Sequence, residues 1–240
     1  MPDTLRGREI VLAGGSGGIG SIALEQLAAE GARLIVSYRA NRERAERWRG
    51  KAEIVQADLT VDADRKRLLD AAPRLYGLVV FAGDPARVTP GTEMIEVMRR
   101  SYEVNYLGPI LLAREAADRM KAANTPGAVV LIATMQAVAL FPGSTAYAAS
   151  KAALLHAARI LAKECRGPAN IRVNIVSPGV TAAGMAEASI ASGKYDRYLK
   201  EGTIHRFGLA EDVARAVRFF LEPDNYVTGQ VLSVDGGLTL

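Results

Sequence analysis

Short apolar runs alternate with longer amphipathic segments along almost the whole chain, and this alternation constrains the fold more than any other feature. Ile10-Val11-Leu12-Ala13, Leu34-Ile35-Val36, Glu53-Ile54-Val55, Leu78-Val79-Val80-Phe81, Ala128-Val129-Val130-Leu131-Ile132 and Ile171-Arg172-Val173-Asn174-Ile175-Val176 read as strands, with a last one over 230–234. Between them, apolar spacing and stop signals predict helices over 19–30 closing on Gly31, 42–49 closing on Gly50, and 62–72 ending before Pro73. Further helices are expected over 93–121, 144–164 and 211–221. Strands apolar on both faces have to be covered on both. The expected fold is therefore α/β, a doubly wound parallel sheet of about seven strands with helices on both faces. No repeat, low-complexity tract or linker-like shift in composition interrupts the pattern, so a single domain over 1–240 is expected.

Composition removes several function classes. Of 240 residues, 49% are hydrophobic and 23% charged, which supplies a buried core and argues against disorder. The longest stretch without a charged residue, 122–150, is cut by Pro126, Gly127, Pro142 and Gly143 into runs too short to cross a membrane, so no membrane partner is expected. A net charge of +4 and the arginine-rich segment 39–51 admit a nucleic-acid reading. Glu43 and Glu46 interrupt that segment, so it reads as a solvated helix face with no nucleic-acid partner. The single cysteine, Cys165, cannot form an intramolecular disulfide, and Met1-Pro2-Asp3-Thr4-Leu5-Arg6 lacks the apolar stretch of a secretory signal. A cytoplasmic location is the expectation. No spacing of His, Cys and acidic residues suggests a metal site.

The chemistry begins after the first strand, at Gly14-Gly15-Ser16-Gly17-Gly18-Ile19-Gly20. Missing Cβ atoms let the backbone turn tightly and approach a pyrophosphate at the N-terminus of the helix that follows, so this turn reads as a dinucleotide-binding element. At the end of the second strand stands Ser37-Tyr38-Arg39-Ala40-Asn41, with no carboxylate before Glu43. An acid there would bond a ribose 2′-hydroxyl and repel a 2′-phosphate. The Arg39 guanidinium pairs with that phosphate instead, so the cofactor expected is NADP(H).

Tyr147-Ala148-Ala149-Ser150-Lys151 lies near the start of a predicted helix, where a spacing of four puts both side chains on one face. A neighbouring ammonium favours phenolate, which would bring the Tyr147 phenol down toward neutrality and make it a proton donor and acceptor. Together with Gly14, Gly18 and Gly20, this pair makes the chain resemble the classical short-chain dehydrogenase/reductase family over nearly its whole length. Asp58-Leu59-Thr60 looks like that family's adenine-contacting motif, Asn105 like its helix asparagine, and Pro178-Gly179 like the turn over the nicotinamide. The tail Val227-Thr228-Gly229-Gln230-Val231-Leu232-Ser233-Val234-Asp235-Gly236-Gly237 looks like its last strand and turn.

The resemblance implies a Rossmann fold and hydride transfer between nicotinamide and a carbonyl or secondary alcohol. It implies a catalytic set of Asn105, Thr134, Tyr147 and Lys151, with Thr134 standing where the family has serine, thirteen residues before the tyrosine. Asn105 would help position Lys151 through ordered water and its helix backbone. The cofactor would be held by Gly14, Ser16, Gly17, Gly18, Ile19, Gly20, Tyr38, Arg39, Asp58, Leu59, Ala82, Gly83, Tyr147, Lys151, Pro178, Gly179, Val180 and Thr181. Two departures stand out. Val80-Phe81 replaces an Asn-Asn pair, and Ala183 occupies the place of a threonine that would anchor the carboxamide, leaving Thr181 for that task.

His156 reads as a helix-face residue, and His205 as a residue bordering the substrate pocket. Segment 182–204 occupies the place of the substrate-covering lid. Length, strand end and tail look most like the 3-oxoacyl-[acyl-carrier-protein] reductase branch, so the substrate expected is a small or carrier-linked carbonyl. Alternatives are an alcohol or polyol dehydrogenase of the same family, and a non-catalytic dinucleotide-binding redox sensor. Pairing of the two long helices implies a homotetramer, or else a homodimer.

Overall fold

A computed structural model describes residues 5–88 and 90–240. The N-terminal residues read for a signal begin outside that range. Seven strands form one all-parallel sheet: β1 (Glu9–Ala13), β2 (Arg33–Tyr38), β3 (Ala52–Gln56), β4 (Leu75–Val80), β5 (Gly127–Ile132), β6 (Ile171–Pro178) and β7 (Val231–Val234). Their order is β3-β2-β1-β4-β5-β6-β7. The chain runs outward from β1 to β3, then returns to pair β4 on the other side of β1. A crevice therefore opens at the carboxyl ends of β1 and β4, where strand order reverses.

The side-chain period of two fills both faces. Val11, Ile35, Leu78, Val80, Val129 and Val173 pack on one side with Leu68, Leu112, Leu154 and Leu161, from α3 (Asp62–Asp70), α5 (Gly108–Ala122) and α6 (Thr145–Glu164). Ile10, Leu12, Leu34, Val36, Val79 and Val130 pack on the other with Leu24, Leu27, Val217 and Phe220, from α1 (Ile19–Ala29) and α9 (Ala210–Leu221). Between them, α2 (Arg42–Glu46) and α4 (Met94–Tyr102) follow β2 and β4. Two short helices, α7 (Glu187–Ala191) and α8 (Asp196–Lys200), lie in the lid segment after β6.

The expected helix over 93–121 is interrupted. Between α4 and α5 the backbone widens into a π turn, Glu103–Leu107. Pro109, in the first turn of α5, has no N–H to give the carbonyl of Asn105 four residues earlier, and a mid-helix wide turn absorbs the missing bond. The helix expected over 42–49 stops at Glu46. The fourth strand ends at Val80, because Phe81 and Ala82 leave the ladder and both donate their amides to the Ala13 carbonyl, at 2.8 and 3.0 Å.

Candidate active site

The glycine turn is built for close approach. Gly14 has φ +74°, and a Cβ there would lie 2.8 Å from the backbone nitrogen of Ala82. A Cβ on Gly20 would meet the Gly15 Cα at 2.7 Å, so α1 and the turn close only with glycine at both places. The Gly14 amide donates to Ser37 Oγ (3.0 Å), and Trp48 Nε1 donates to the Ser16 carbonyl (3.3 Å), which ties the turn to β2 and to the chain after α2. α1 begins at Gly18 with no side-chain cap and no acid in its first turn. Its first amides and the positive end of its dipole are left to an anion, and this cradle fits a pyrophosphate.

A second guanidinium joins Arg39 at this end. A Cβ on Gly17 would strike the Arg44 side chain 2.6 Å from Cζ, so that guanidinium lies directly over the turn. Asn41 sets it there: Asn41 Oδ1 caps α2 by accepting from the Arg44 amide at 2.9 Å. Arg39 and Arg44 are both exposed where the cleft meets solvent. Asp58 also lines the cleft, with Oδ1 accepting from the Thr60 amide and hydroxyl.

At the opposite end, Thr134 leaves β5 in an extended conformation and caps a short 3-10 turn, Met135–Ala137. Tyr147 sits in the first turn of α6, and the Thr134 hydroxyl interacts with its phenol. Lys151, one turn further on, is only 3% exposed and donates from Nζ to the Ile132 carbonyl at 2.8 Å. Fully buried Asn105 holds the loop after β4 by two bonds: Nδ2 donates to the Asp84 carbonyl, and the Asp84 amide donates to Oδ1, both at 2.9 Å. Asn105 Nδ2 also reaches Ser101 Oγ, which contacts the Ala146 carbonyl and Ser150 Oγ on α6. The asparagine side chain thus locks α4, α6 and the β4 loop together. A Cβ on Gly83 would stand 3.1 Å from Asn105 Oδ1 and 3.7 Å from Lys151 Nζ, so glycine there lets all three meet.

The electrostatics correct one expectation. Lys151 does not draw the Tyr147 phenol down; burial, reinforced by the Tyr195 hydroxyl and the Asp84 carboxylate, pushes it up to about 12 against the lowering effect of Thr134. The reason is that the ammonium is itself desolvated, which lowers Lys151 to about 8, and is aimed at the Ile132 carbonyl.

One cleft of about 1060 Å³ joins the two ends. Gly14, Ser16, Gly17, Gly18, Ile19, Gly20, Tyr38, Arg39, Asp58, Leu59, Ala82, Gly83, Thr134, Tyr147, Pro178, Gly179, Val180 and Thr181 all line it. Asn105 and Lys151 stand behind its wall. Val80 is buried in the core, while Phe81 packs on the α1 side and presents part of its surface to the cleft. Thr181 is buried, with Oγ1 donating to the Gly179 carbonyl at 3.3 Å. His205 is exposed and does not line the cleft, because the chain there turns back to the sheet through the Thr181–Gly208 bridge.

The lid arches over the middle of the cleft: a Cβ on Gly184 would lie 3.4 Å from the Gly18 Cα, and Arg87 Nη2 donates to the Met185 carbonyl across the opening at 3.0 Å. Arg44, Arg87, Gln136 and Ser144 also line the cleft, and Asp84 stands beside it, held by Asn105; the sequence pointed to none of the five. Asn41 before a short charged helix is the one signal that would have pointed to Arg44. The others are brought in by loops whose paths no periodicity encodes.

Fold and site together define an oxidoreductase of the doubly wound α/β class. Residues 13–239 match the family described as Enoyl-(Acyl carrier protein) reductase. The chain is 32% identical to an NADPH-dependent aldehyde reductase-like protein, chloroplastic, of Arabidopsis thaliana, over 98% of this chain and 96% of that one. It superposes on a short-chain type dehydrogenase/reductase from Mycobacterium ulcerans with TM-score 0.90 at 28% identity, covering 98% and 91% of the two chains. An NADPH-dependent 3-quinuclidinone reductase from Rhodotorula rubra gives TM-score 0.86 at 26% identity, over 99% and 93%. The protein belongs to the short-chain dehydrogenase/reductase family. Among the described residues, no helix is long and apolar enough to cross a membrane, and no group of three or more His, Cys, Asp or Glu is placed to hold a metal ion.

Proposed function

We propose that this protein is an NADP(H)-dependent reductase of carbonyl groups, its single domain spanning 1–240. The observation that carries the reading is the continuity of the cleft, from the Arg39 and Arg44 guanidinia over the glycine turn to the Thr134–Tyr147 pair. Two guanidinia fit a 2′-phosphate, and the similarity to an NADPH-dependent aldehyde reductase-like protein and to an NADPH-dependent 3-quinuclidinone reductase supports the same cofactor. When bound, the nicotinamide supplies a hydride to the carbonyl carbon.

The chain's own residues do the rest. Tyr147 keeps its proton at neutral pH because burial raises its pKa, and gives it to the carbonyl oxygen, yielding the alcohol. Thr134 donates a hydrogen bond to that same oxygen and fixes its direction. Lys151, charged below about pH 8 and one helical turn from Tyr147, is the group that would offset the negative charge left there; before transfer its ammonium is held by the Ile132 carbonyl. Asn105 holds the loop and helices that carry these groups. A raised phenol favours the reductive direction over the alcohol or polyol dehydrogenase reading. The intact Tyr147 and Lys151 set weighs against a sensor, which needs no proton donor.

A 3-oxoacyl thioester is the substrate we would offer first. The test is NADPH and NADH oxidation against that thioester and a ketone panel, with Tyr147→Phe as control. NADPH-dependent turnover lost in Tyr147→Phe, with NADPH binding kept, is the expected result; near-normal turnover in that variant refutes the assignment. The exposed Met94, Ile95, Met98 and Tyr102 of α4 support self-association through the long helices as a homotetramer, and sedimentation as a monomer at micromolar concentration would refute it. The buried, unpaired Cys165 supports a reducing, cytoplasmic location.

A further inference from the structure

Phe141, Met185 and Tyr195 line the cleft with apolar surface, so the polar atoms set among them decide what can sit there. Thr134 and Tyr147 serve the reacting carbonyl. Of the other polar side chains that line the cleft, Gln136 and Ser144 bridge the elements that carry Thr134 and Tyr147. Gln136 follows Thr134 by two residues, its backbone amide 3.4 Å from Thr134 Oγ1, and Ser144 immediately precedes the helix that carries Tyr147. Ser144 Oγ donates to Gln136 Oε1. The amide oxygen is therefore satisfied, and the amide nitrogen, which has no acceptor among the described residues, is a donor left to the cleft.

Resting on the reductase reading above, we propose that Gln136 is a specificity-determining residue that donates from Nε2 to a second oxygen of the substrate, so that the preferred substrates are 3-oxo acyl compounds rather than simple ketones. The chemistry follows from the donor inventory. The Ser144 proton is committed to Gln136, so the proton the pair still offers the substrate is on Gln136 Nε2. An ester or thioester carbonyl two carbons from the reacting ketone accepts that donor, and a plain alkyl chain leaves it unpaired in an apolar wall. Ser144 acts as a positioning residue, fixing which end of the amide faces the substrate.

The test compares two substrates with chains of the same length, ethyl 3-oxobutanoate and 2-heptanone, as NADPH-dependent kcat/KM in wild type, Gln136→Met and Gln136→Glu. Intrinsic reactivity favours the oxo ester in every protein, so the readout is the change in the ratio of the two. The ratio is expected to fall at least tenfold in Gln136→Met, and at least as far in Gln136→Glu, which keeps the shape and replaces the donor by an acceptor. A ratio within twofold of wild type in both variants, whether or not both rates fall together, would overturn the inference. So would a wild type that binds NADPH and reduces neither compound. Loss of the parent reading shows separately, as failure to quench NADPH fluorescence or as undiminished turnover by Tyr147→Phe.

Discussion

Replacing Lys151 by methionine should make the protein more stable while abolishing its chemistry. Burial moves the ammonium from 10.5 to about 8, and at 1.36 kcal/mol for each factor of ten this amounts to about 3 kcal/mol held against folding at pH 7. Methionine fills a similar volume without the charge, but strands the Ile132 carbonyl that Nζ contacts at 2.8 Å, which costs about 1 kcal/mol. The net expectation is about 2 kcal/mol of added stability at pH 7. The pH dependence identifies the cause. The unfolded chain binds the Lys151 proton more tightly than the folded one, so the penalty is complete below pH 8 and fades as pH rises toward 10.5. Tyr147 acts in the opposite sense only between 10 and about 12, and the buried Cys165 thiol, also raised, acts in that opposite sense equally in both proteins, so the difference between them over pH 7 to 9.5 isolates the lysine. Urea unfolding of the dinucleotide-free proteins, at one protomer concentration, should show wild type gaining about 2 kcal/mol relative to Lys151→Met across that window. Equal stability at pH 7 together with parallel pH profiles would refute the desolvation argument.

Reductive kcat/KM should be level between pH 6 and 7.5 and decline above about pH 8, as Lys151 loses its proton; an undiminished rate at pH 9.5 would separate the ammonium from catalysis. Arg44→Ala should raise the Kd for NADPH about tenfold by fluorescence titration, with little change for NADH; equal losses for both would place Arg44 outside the 2′-phosphate site. Thr134→Ala should lower kcat about a hundredfold, and Thr134→Ser should restore most of it; a serine variant as slow as alanine would mean that the threonine methyl, not the hydroxyl, matters. Gly14→Ala, at φ +74° and 2.8 Å from the Ala82 backbone, should cost about 2 kcal/mol or more in thermal unfolding and weaken NADPH binding; an unchanged Tm would show that the turn relaxes freely.

Much of the glycine-turn end of the cleft was legible in the sequence because its geometry is backbone geometry. Glycines needed for positive φ and close approach leave a local signature, and Gly14, Gly18 and Gly20 stand where that signature put them. The strands were legible for a similar reason: a two-face apolar run such as Val79-Val80 has no place but a covered sheet. The catalytic end was legible only as a set of residue types. Spacing placed Tyr147 and Lys151 on one helical face, but not how deeply water is excluded around them, and that depth reversed the expected direction of the Tyr147 phenol. The interrupted helix carried its cause openly in Pro109, yet apolar spacing runs straight through it.

What the sequence by itself determined is what depends on neighbours along the chain: alternation, the glycine turn, the Tyr-x-x-x-Lys pair and the absence of an acid after β2. What only tertiary structure decided is what depends on neighbours in space. Arg44 over Gly17, Asp84 clamped by Asn105, and Gln136 held by Ser144 each join segments that no local pattern links. Backbone conformation is set within a few bonds, whereas hydrogen-bond pairing and desolvation are set by whichever chain segments the sheet order brings to the same end.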